Sequence, residues 1–244
     1  TFFAGVLAFP SFKVAFNPII HTTGIDWRNK AAVVGVLREQ FKASPMNFIK
    51  AHLAEAPPTI DIDIKFTNFV KLDDKRKQAL KIGYLKATQS DFVPARINAN
   101  GKSVKVKLRL KGDLLDHIDA KKWSFRVHVK GEGQIFGLRR FSIQAPRVRS
   151  YQREPVYLDH LRREGVLAVR YFFVNVRLNG DNVGVMAIEE HFSKELLEAQ
   201  RRREGVIVKF NGDDWWDFKT KYSLDDPYRD FRIAEILPFR SKWV

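Results

Sequence analysis

Residues Tyr171–Glu190, YFFVNVRLNGDNVGVMAIEE, carry the clearest local signal in the chain. Asn179-Gly180 is a preferred pair for a two-residue β-hairpin turn, because both turn positions need a positive φ. The apolar runs on either side predict strands at Tyr171–Leu178 and Val183–Ile188. Ser193 follows as the expected first residue of a helix that ends near Gly205. The fold is therefore expected to contain this antiparallel pair with a helix behind it.

Alternation of apolar and polar residues recurs upstream of the hairpin and predicts further strands with one apolar face. These strands, with one more after the hairpin, are expected at 59–66, 92–98, 104–111, 123–130, 141–145 and 206–210. Helical spacing is found at 71–86 and 155–164. Because strands and helices do not alternate regularly, the predicted class is α+β, a mostly antiparallel sheet with flanking helices.

The chain divides into four expected parts. Residues 1–29 are read as a truncated membrane anchor and linker, since the nine apolar residues at the start fall short of the roughly 20 that span a bilayer. A helical extension is expected at 30–58, the α+β domain at 59–210, and the start of a further truncated region at 211–244. The anchor interpretation predicts a membrane-anchored, extracytoplasmic protein.

Charge is concentrated in the middle of the chain. The protein has 244 residues and a net charge of +15, and residues 101–170 hold 17 basic and 7 acidic side chains, a net charge of +10. Such a block indicates an anionic partner or a solvated sheet face. Phosphates, an anionic membrane surface and nucleic acid all fit, but nucleic acid is disfavoured because no recognised nucleic-acid-binding motif accompanies the charge.

Several classes of chemistry are excluded by the residues present. Cysteine is absent, which removes disulfides, thiolate nucleophiles and zinc–thiolate sites. The six histidines fit no paired metal-ligand spacing, and neither a phosphate-binding glycine motif nor a GxSxG elbow occurs. The acidic run Gly212–Asp217 is read as a solvated turn, so no metal site is predicted.

The order of short motifs from Val104 to Leu197 resembles the CotH kinase family, named for spore-coat protein H. Leu108-Arg-Leu-Lys-Gly112 precedes Lys121-Lys-Trp-Ser-Phe-Arg126, followed by a Gly-Leu-Arg-Arg-Phe-Ser-Ile-Gln strand. Arg149-Ser-Tyr-Gln-Arg-Glu154, Leu178-Asn-Gly180 and Gly184-Val-Met-Ala-Ile-Glu-Glu190 come next. The resemblance implies the ATP-gripping N-terminal lobe and hinge of an atypical protein kinase, with ATP and Mg²⁺ as cofactors.

The resemblance also implies roles for particular residues. Lys122, or else Lys121, stands where the family places its ATP-phosphate lysine, and Glu154 stands as the carboxylate partner that such a lysine needs. Arg149 is a second candidate for phosphate or glutamate contact. Glu189 and Glu190 fall at the expected hinge, and only one of them is expected to face the nucleotide, since adjacent strand residues point to opposite faces.

The catalytic Asp and the metal-binding acids of the family are expected beyond Val244. The predicted function is therefore the ATP-binding portion of an envelope-associated or secreted CotH-like kinase that is inactive as this stretch alone. Its protein substrate is unspecified. The alternative is a non-enzymatic envelope module whose basic face, residues 101–170, binds an anionic polymer or lipid headgroups.

Overall fold

The computed structural model describes residues 56–118 and 121–205, together with helical backbone at positions 31, 34, 35 and 38. Seven strands and three α-helices make up this part of the chain. The strands are β1 (Thr59–Asp63), β2 (Val93–Ala99), β3 (Lys102–Leu110), β4 (Phe125–Val129), β5 (Arg140–Gln144), β6 (Tyr171–Leu178) and β7 (Asp181–Glu190). The helices are α1 (Phe66–Ile82), α2 (Arg153–Arg163) and α3 (Lys194–Ala199).

The seven strands close into a barrel in the order β1-β2-β3-β4-β5-β7-β6. Six of the seven contacts between neighbouring strands are antiparallel. The seventh closes the barrel, because β1 runs parallel to β6 with Ile60 opposite Val176 and Ile62 opposite Leu178. Because β1 and β6 pair with each other, no strand of the barrel has an edge that is unpaired along its full length.

The predicted fold class is therefore wrong. The structure is a closed, mixed seven-stranded β-barrel with few helices, and not an α+β kinase-like lobe with flanking helices. The parallel β1–β6 contact explains the error, since it joins strands that are more than 100 residues apart and involves no turn. Alternation reports which face of a strand is apolar, but it does not report which strands are neighbours.

Most of the predicted elements are present within the wrong architecture. The hairpin turns at Asn179 and Gly180, which have φ values of 50° and 90°. Helix α2 covers most of the predicted 155–164 segment. Helix α1 begins at Phe66, five residues earlier than expected. Phe66 is therefore the first residue of a helix and not the last residue of a strand. Asp73 and Asp74, which were expected in the first helical turn, lie in the helix interior.

The barrel interior holds the main hydrophobic core. Phe125, Phe141 and Ile143 are at most 2% exposed, and Leu72 and Ala79 of α1 pack against the same core. Phe69 of α1 also stacks on Trp123, with ring centroids 5.2 Å apart, at one end of the barrel. A smaller apolar cluster lies outside the barrel, where α2 and α3 cover β6 and β7; it includes Leu158, Ala187 and Leu196.

The outer face of the barrel is polar, and its register decides which polar side chains meet. Arg109 of β3 is opposite Arg126 of β4, Arg126 is opposite Ser142 of β5, and Ser142 is opposite Glu189 of β7. Directly opposite residues share a face of the sheet. One lateral row therefore leads from the cations of β3 to the carboxylate of β7.

Several sequence predictions lie outside the described residues: the anchor at 1–29, nearly all of the 30–58 extension, the strand at 206–210 and the region 211–244. The bounds of the four parts remain predictions. Within the part that the structure describes, no helix is both long and apolar enough to span a membrane. The membrane-anchored, extracytoplasmic location also remains a prediction.

Candidate functional site: a buried lysine–glutamate cluster at one end of the barrel

Lys111 directly follows β3, and its backbone is held in place by a hydrogen bond and by the turn at Gly112. Its backbone N–H donates to the carbonyl oxygen of Ser124 at 2.9 Å. Gly112 then turns the chain with φ +102°, and a Cβ at that position would lie 2.2 Å from Cγ of His117. Glycine is required here by both backbone conformation and space. The Lys111 side chain therefore starts from a backbone position with little freedom.

Three side chains from three strands or strand ends form a closed hydrogen-bonded triangle. Nζ of Lys111 donates to Oε2 of Glu189 at 2.6 Å and to Oε1 of Gln144 at 2.7 Å. Nε2 of Gln144 donates to the same Glu189 oxygen at 2.7 Å. The side chains of Lys111 and Glu189 are only 10% and 16% exposed. This geometry fixes the ammonium against the carboxylate in a largely dry environment.

Positive charge exceeds negative charge around this triangle. Burial alone would raise the pKa of Glu189, but the charge of Lys111 and its hydrogen bond, with Arg149, lower it. Burial lowers the pKa of Lys111; Glu189 opposes that effect, whereas the charges of Arg149 and Arg126 add to it. Among the described residues, two cations thus act on the ionised carboxylate of Glu189 and a third acts on Lys111, an arrangement suited to a further anion.

Arg149 reaches the cluster from a strained turn. Its Nη2 lies 3.7 Å from Oε1 of Glu189, beyond hydrogen-bond distance, and its buried Nε has no hydrogen-bond partner among the described residues. The next two residues, Ser150 and Tyr151, have φ values of 53° and 58°. Consecutive non-glycine residues in the left-handed region are costly, and such strain concentrates at functional sites.

A second polar contact lies beside the turn at Gly112. Nδ1 of His117 and Oγ of Ser124 are 3.0 Å apart, and both side chains are buried. Burial lowers the pKa of His117; the negative charges of Asp116 and Asp113 oppose this effect, whereas the positive charges of Lys111 and Arg149 add to it. A neutral imidazole beside Lys111 adds no competing charge to the cluster.

Glu190 points away from this cluster, to the opposite side of β7. Its carboxylate accepts from Nε and Nη2 of Arg170 at 2.8 and 2.6 Å, and from the Arg170 backbone N–H at 3.1 Å. The side chain of Glu190 is 1% exposed. Glu190 and Arg170 therefore form a bidentate ion pair in which both carboxylate oxygens accept hydrogen bonds.

Lys122 lies in a separate groove at the same end of the barrel. The groove is lined by α1, the residues around Trp123, the turn after β5 and the β6–β7 hairpin. Nζ of Lys122 donates to the carbonyl oxygen of Val185 at 2.9 Å, and burial lowers the lysine pKa. No carboxylate within the described residues lies in ion-pair contact with Lys122.

The sequence-predicted site residues thus fall into two groups. Glu189 and Arg149 lie together in the polar cluster, whereas Lys122 and the exposed Lys121 line the groove. Glu154, in the first turn of α2, makes no ion pair with either lysine in the part of the chain that is described. The roles predicted for these residues remain predictions.

Lys111, Gln144 and Tyr171 belong to the site but are absent from the sequence-based candidates. Lys105, Lys107, Arg109 and Lys111 alternate along one strand, so Lys111 looks like one more solvated cation. Tyr171 lies opposite Glu189, and burial, then the Glu189 charge, raise its pKa. The usable signal was the glycine directly after Lys111, since it marks the turn that ends the strand and holds the backbone of the lysine in place.

The described residues contain no group of three or more His, Asp or Glu side chains placed to hold a metal ion. The acids of Gly212–Asp217 lie outside those residues.

The fold and the site together define a β-barrel domain with a cation-rich, partly buried polar cluster at one end. The chain belongs to the CotH kinase family: the family model described as CotH kinase protein matches residues 108–234, slightly more than half of the chain. The match begins within β3, before Lys111, and includes every member of the cluster. Membership indicates a kinase-like function. No curated protein matches the chain.

Proposed function

We propose that this chain binds ATP by its phosphates at the cluster of Lys111, Gln144, Arg149 and Glu189, as the nucleotide-binding part of a CotH-type phosphotransferase. The observation that carries the proposal is the buried Lys111–Glu189 pair, 2.6 Å between Nζ and Oε2. A lysine held by a carboxylate is the arrangement by which kinases position phosphates for transfer.

The donors in the cluster fit a phosphate. An ammonium has three N–H donors, and Lys111 uses one on Glu189 and one on Gln144, which leaves the third. Arg149 has a guanidinium fork with a buried, unpartnered Nε and approaches Glu189 only to 3.7 Å. A planar fork beside a fixed ammonium matches the oxygens of a phosphate group.

The strained turn at Ser150 and Tyr151 supports the same assignment. Its backbone is held by N–H donation from Tyr151 to the Pro146 carbonyl at 2.9 Å and from Ser150 to the Arg147 carbonyl at 3.1 Å. Because the turn holds Arg149 in position before an anion binds, binding costs less conformational entropy.

Mg²⁺ is implied by the family, but the described residues do not fit it. Glu189 is the only carboxylate of the triangle, and its Oε2 already accepts from two donors. A cation of that kind prefers several oxygen ligands. No step through Mg²⁺ is therefore derived from these residues.

Titration calorimetry with ATP in Mg²⁺ buffer tests the proposal on the 244-residue chain. Losing one charge-assisted contact costs about 1.5–3 kcal/mol, so Lys111→Met and Arg149→Met are each expected to weaken ATP binding about 10- to 100-fold. Lys130→Met is the matched control, since Lys130 is an exposed lysine after β4, outside the cluster. Circular dichroism confirms that each variant is folded.

Two outcomes contradict the proposal. If Lys122→Met abolishes ATP binding while Lys111→Met does not, the phosphates lie in the groove, as the sequence predicted. If Lys111→Met and Lys130→Met weaken binding equally and salt removes it steeply, a non-enzymatic polyanion-binding module explains the basic face better.

A further inference from the structure

Strand β7 has an unpaired edge at the end of the barrel. It pairs with β6 from Leu178–Asp181 to Tyr171–Glu189, with one register shift between Val176 and Arg177. On its other side it pairs with β5 only from Gln144–Ala187 to Phe141–Glu190, because the chain turns away at Pro146. Residues 181–186 therefore lack a strand neighbour on that side among the described residues. An unpaired strand edge is a template for another chain.

The groove follows this edge, and Lys122 occupies part of it. The ammonium of Lys122 donates to the backbone carbonyl of Val185 at 2.9 Å. Buried cations in proteins are normally paired with an anion. A lysine that satisfies itself on a neutral carbonyl can be displaced by an N–H donor and can then accept a carboxylate.

The rest of the groove is complementary to an acidic chain with apolar positions. Lys121, Lys122 and Arg147 line it, whereas Asp181 is the one carboxylate among the described residues that line it. Trp123, stacked on Phe69, provides an aromatic surface, and Phe66 at its margin is 79% exposed. Aromatic surface beside cations suits a peptide better than a bare phosphate polymer, which would leave the rings unused.

We infer that the β7 edge at residues 181–186 binds an extended acidic peptide segment as an added strand. A backbone N–H of the peptide replaces Lys122 at the Val185 carbonyl, and Lys122, with Lys121, pairs with carboxylates of the peptide. Main-chain hydrogen bonds supply affinity in this mode, and alternate side chains supply specificity. The inference is independent of nucleotide binding at Lys111.

A fluorescein-labelled peptide of alternating Glu and Val, with blocked ends, is the probe. Three unlabelled versions compete with it: the same peptide, one with Gln in place of Glu, and one with alternate backbone nitrogens methylated. The added-strand mode predicts saturable binding of the acidic peptide in fluorescence anisotropy. It also predicts at least tenfold weaker competition by both altered peptides, since one lacks the charge and the other the backbone donors.

Two single variants locate the binding. Lys122→Met is expected to weaken peptide binding about tenfold, the loss of one charge-assisted contact. Lys130→Met, the same change of charge outside the groove, is expected to leave it unchanged. ATP affinity of Lys122→Met separates this inference from the nucleotide proposal, because each result stands or fails without the other.

The inference is overturned if no acidic peptide binds saturably in the low millimolar range. Equal competition by the methylated peptide excludes strand addition. Equal losses in Lys122→Met and Lys130→Met show a diffuse charge effect and also overturn it.

Discussion

Glu189 and Glu190 are neighbours in β7 and carry the same carboxylate, yet their surroundings differ in charge balance. Glu190 faces one cation, Arg170, and accepts a bidentate contact from it plus a backbone N–H. Glu189 faces Lys111 and Arg149, with the charge of Arg126 also acting on Lys111. Alternation along a strand sends the two side chains to opposite faces, which allows this separation of roles.

The balanced pair at Glu190 and the unbalanced cluster at Glu189 have different roles. At Glu190 the charges cancel, and the pair ties the segment before β6 to the end of β7. At Glu189 the cations are in excess, so the cluster has donors left for a further anion. Excess charge that is held in place is typical of a binding site, whereas a balanced buried pair is typical of structure.

Removing the negative charge at Glu189 is expected to have the largest effect on stability. Glu189→Gln leaves Lys111 buried without its counter-charge, and breaking a buried pair costs about 3–5 kcal/mol. Because the folded-state pKa of Glu189 is lowered below its ordinary 4.5, the carboxylate contributes its full stability above about pH 4.5 and loses it as the pH falls further.

Urea denaturation of the wild type and of Glu189→Gln, measured at a series of acidic pH values, tests this pH dependence of stability. The difference in unfolding free energy is expected to shrink steadily on acidification below about pH 4.5. A difference that stays constant over the whole range would show that the ionised carboxylate is not what stabilises the cluster.

The next effect comes from Gly112→Ala, which disturbs the backbone that positions Lys111. The new Cβ would lie 2.2 Å from Cγ of His117, at φ +102°. Overpacking costs about 1–3 kcal/mol and the left-handed conformation about 1–2, so a loss of about 3 kcal/mol is expected. Gly83→Ala is the matched control, because Gly83 has φ +92° and open space around it. Equal losses in the two variants would mean that the contact with His117 can relax freely.

The smallest of the three effects belongs to Glu190→Gln. The neutral amide keeps one acceptor but loses the bidentate, charge-assisted contact with Arg170, for an expected loss of about 2 kcal/mol. Arg170 is 30% exposed and regains some hydration, which reduces the loss relative to Glu189→Gln. ATP affinity, measured by calorimetry, is expected to be unchanged. A marked loss of ATP affinity here would remove the distinction between the two glutamates.

Local elements of this fold could be predicted because their signals are local. The Asn179-Gly180 turn, the alternation of β3 and the helix around Pro155 each depend on a few consecutive residues. The barrel could not be predicted, because its closing contact between β1 and β6 has no turn and no special residue type. The start of α1 was also missed, since Ile60, Ile62, Ile64 and Phe66 continue the strand alternation past the point where the helix begins.

The residues of the site also differ in whether a local sequence signal could identify them. The family resemblance named Glu189 as a hinge candidate and Arg149 as a candidate for phosphate or glutamate contact, but it did not name Lys111. Lys111 and Glu189 are 78 residues apart and meet only because β3, β4, β5 and β7 follow one another in the barrel. Lys122 was chosen in its place because it stands before an aromatic-containing strand, a local feature that does not show which carboxylate the folded chain brings near.

Labelling with an acyl-phosphate derivative of ATP tests the central claim most directly. A lysine Nζ near the bound phosphates attacks the acyl carbon, forms an amide and releases ATP, so mass spectrometry of the digested protein identifies that lysine. If the cluster holds the phosphates of ATP, Lys111 is labelled, excess ATP suppresses the labelling, and Lys111→Arg abolishes it. ATP-suppressible labelling at Lys122 or Lys121, with Lys111 unlabelled, would contradict it.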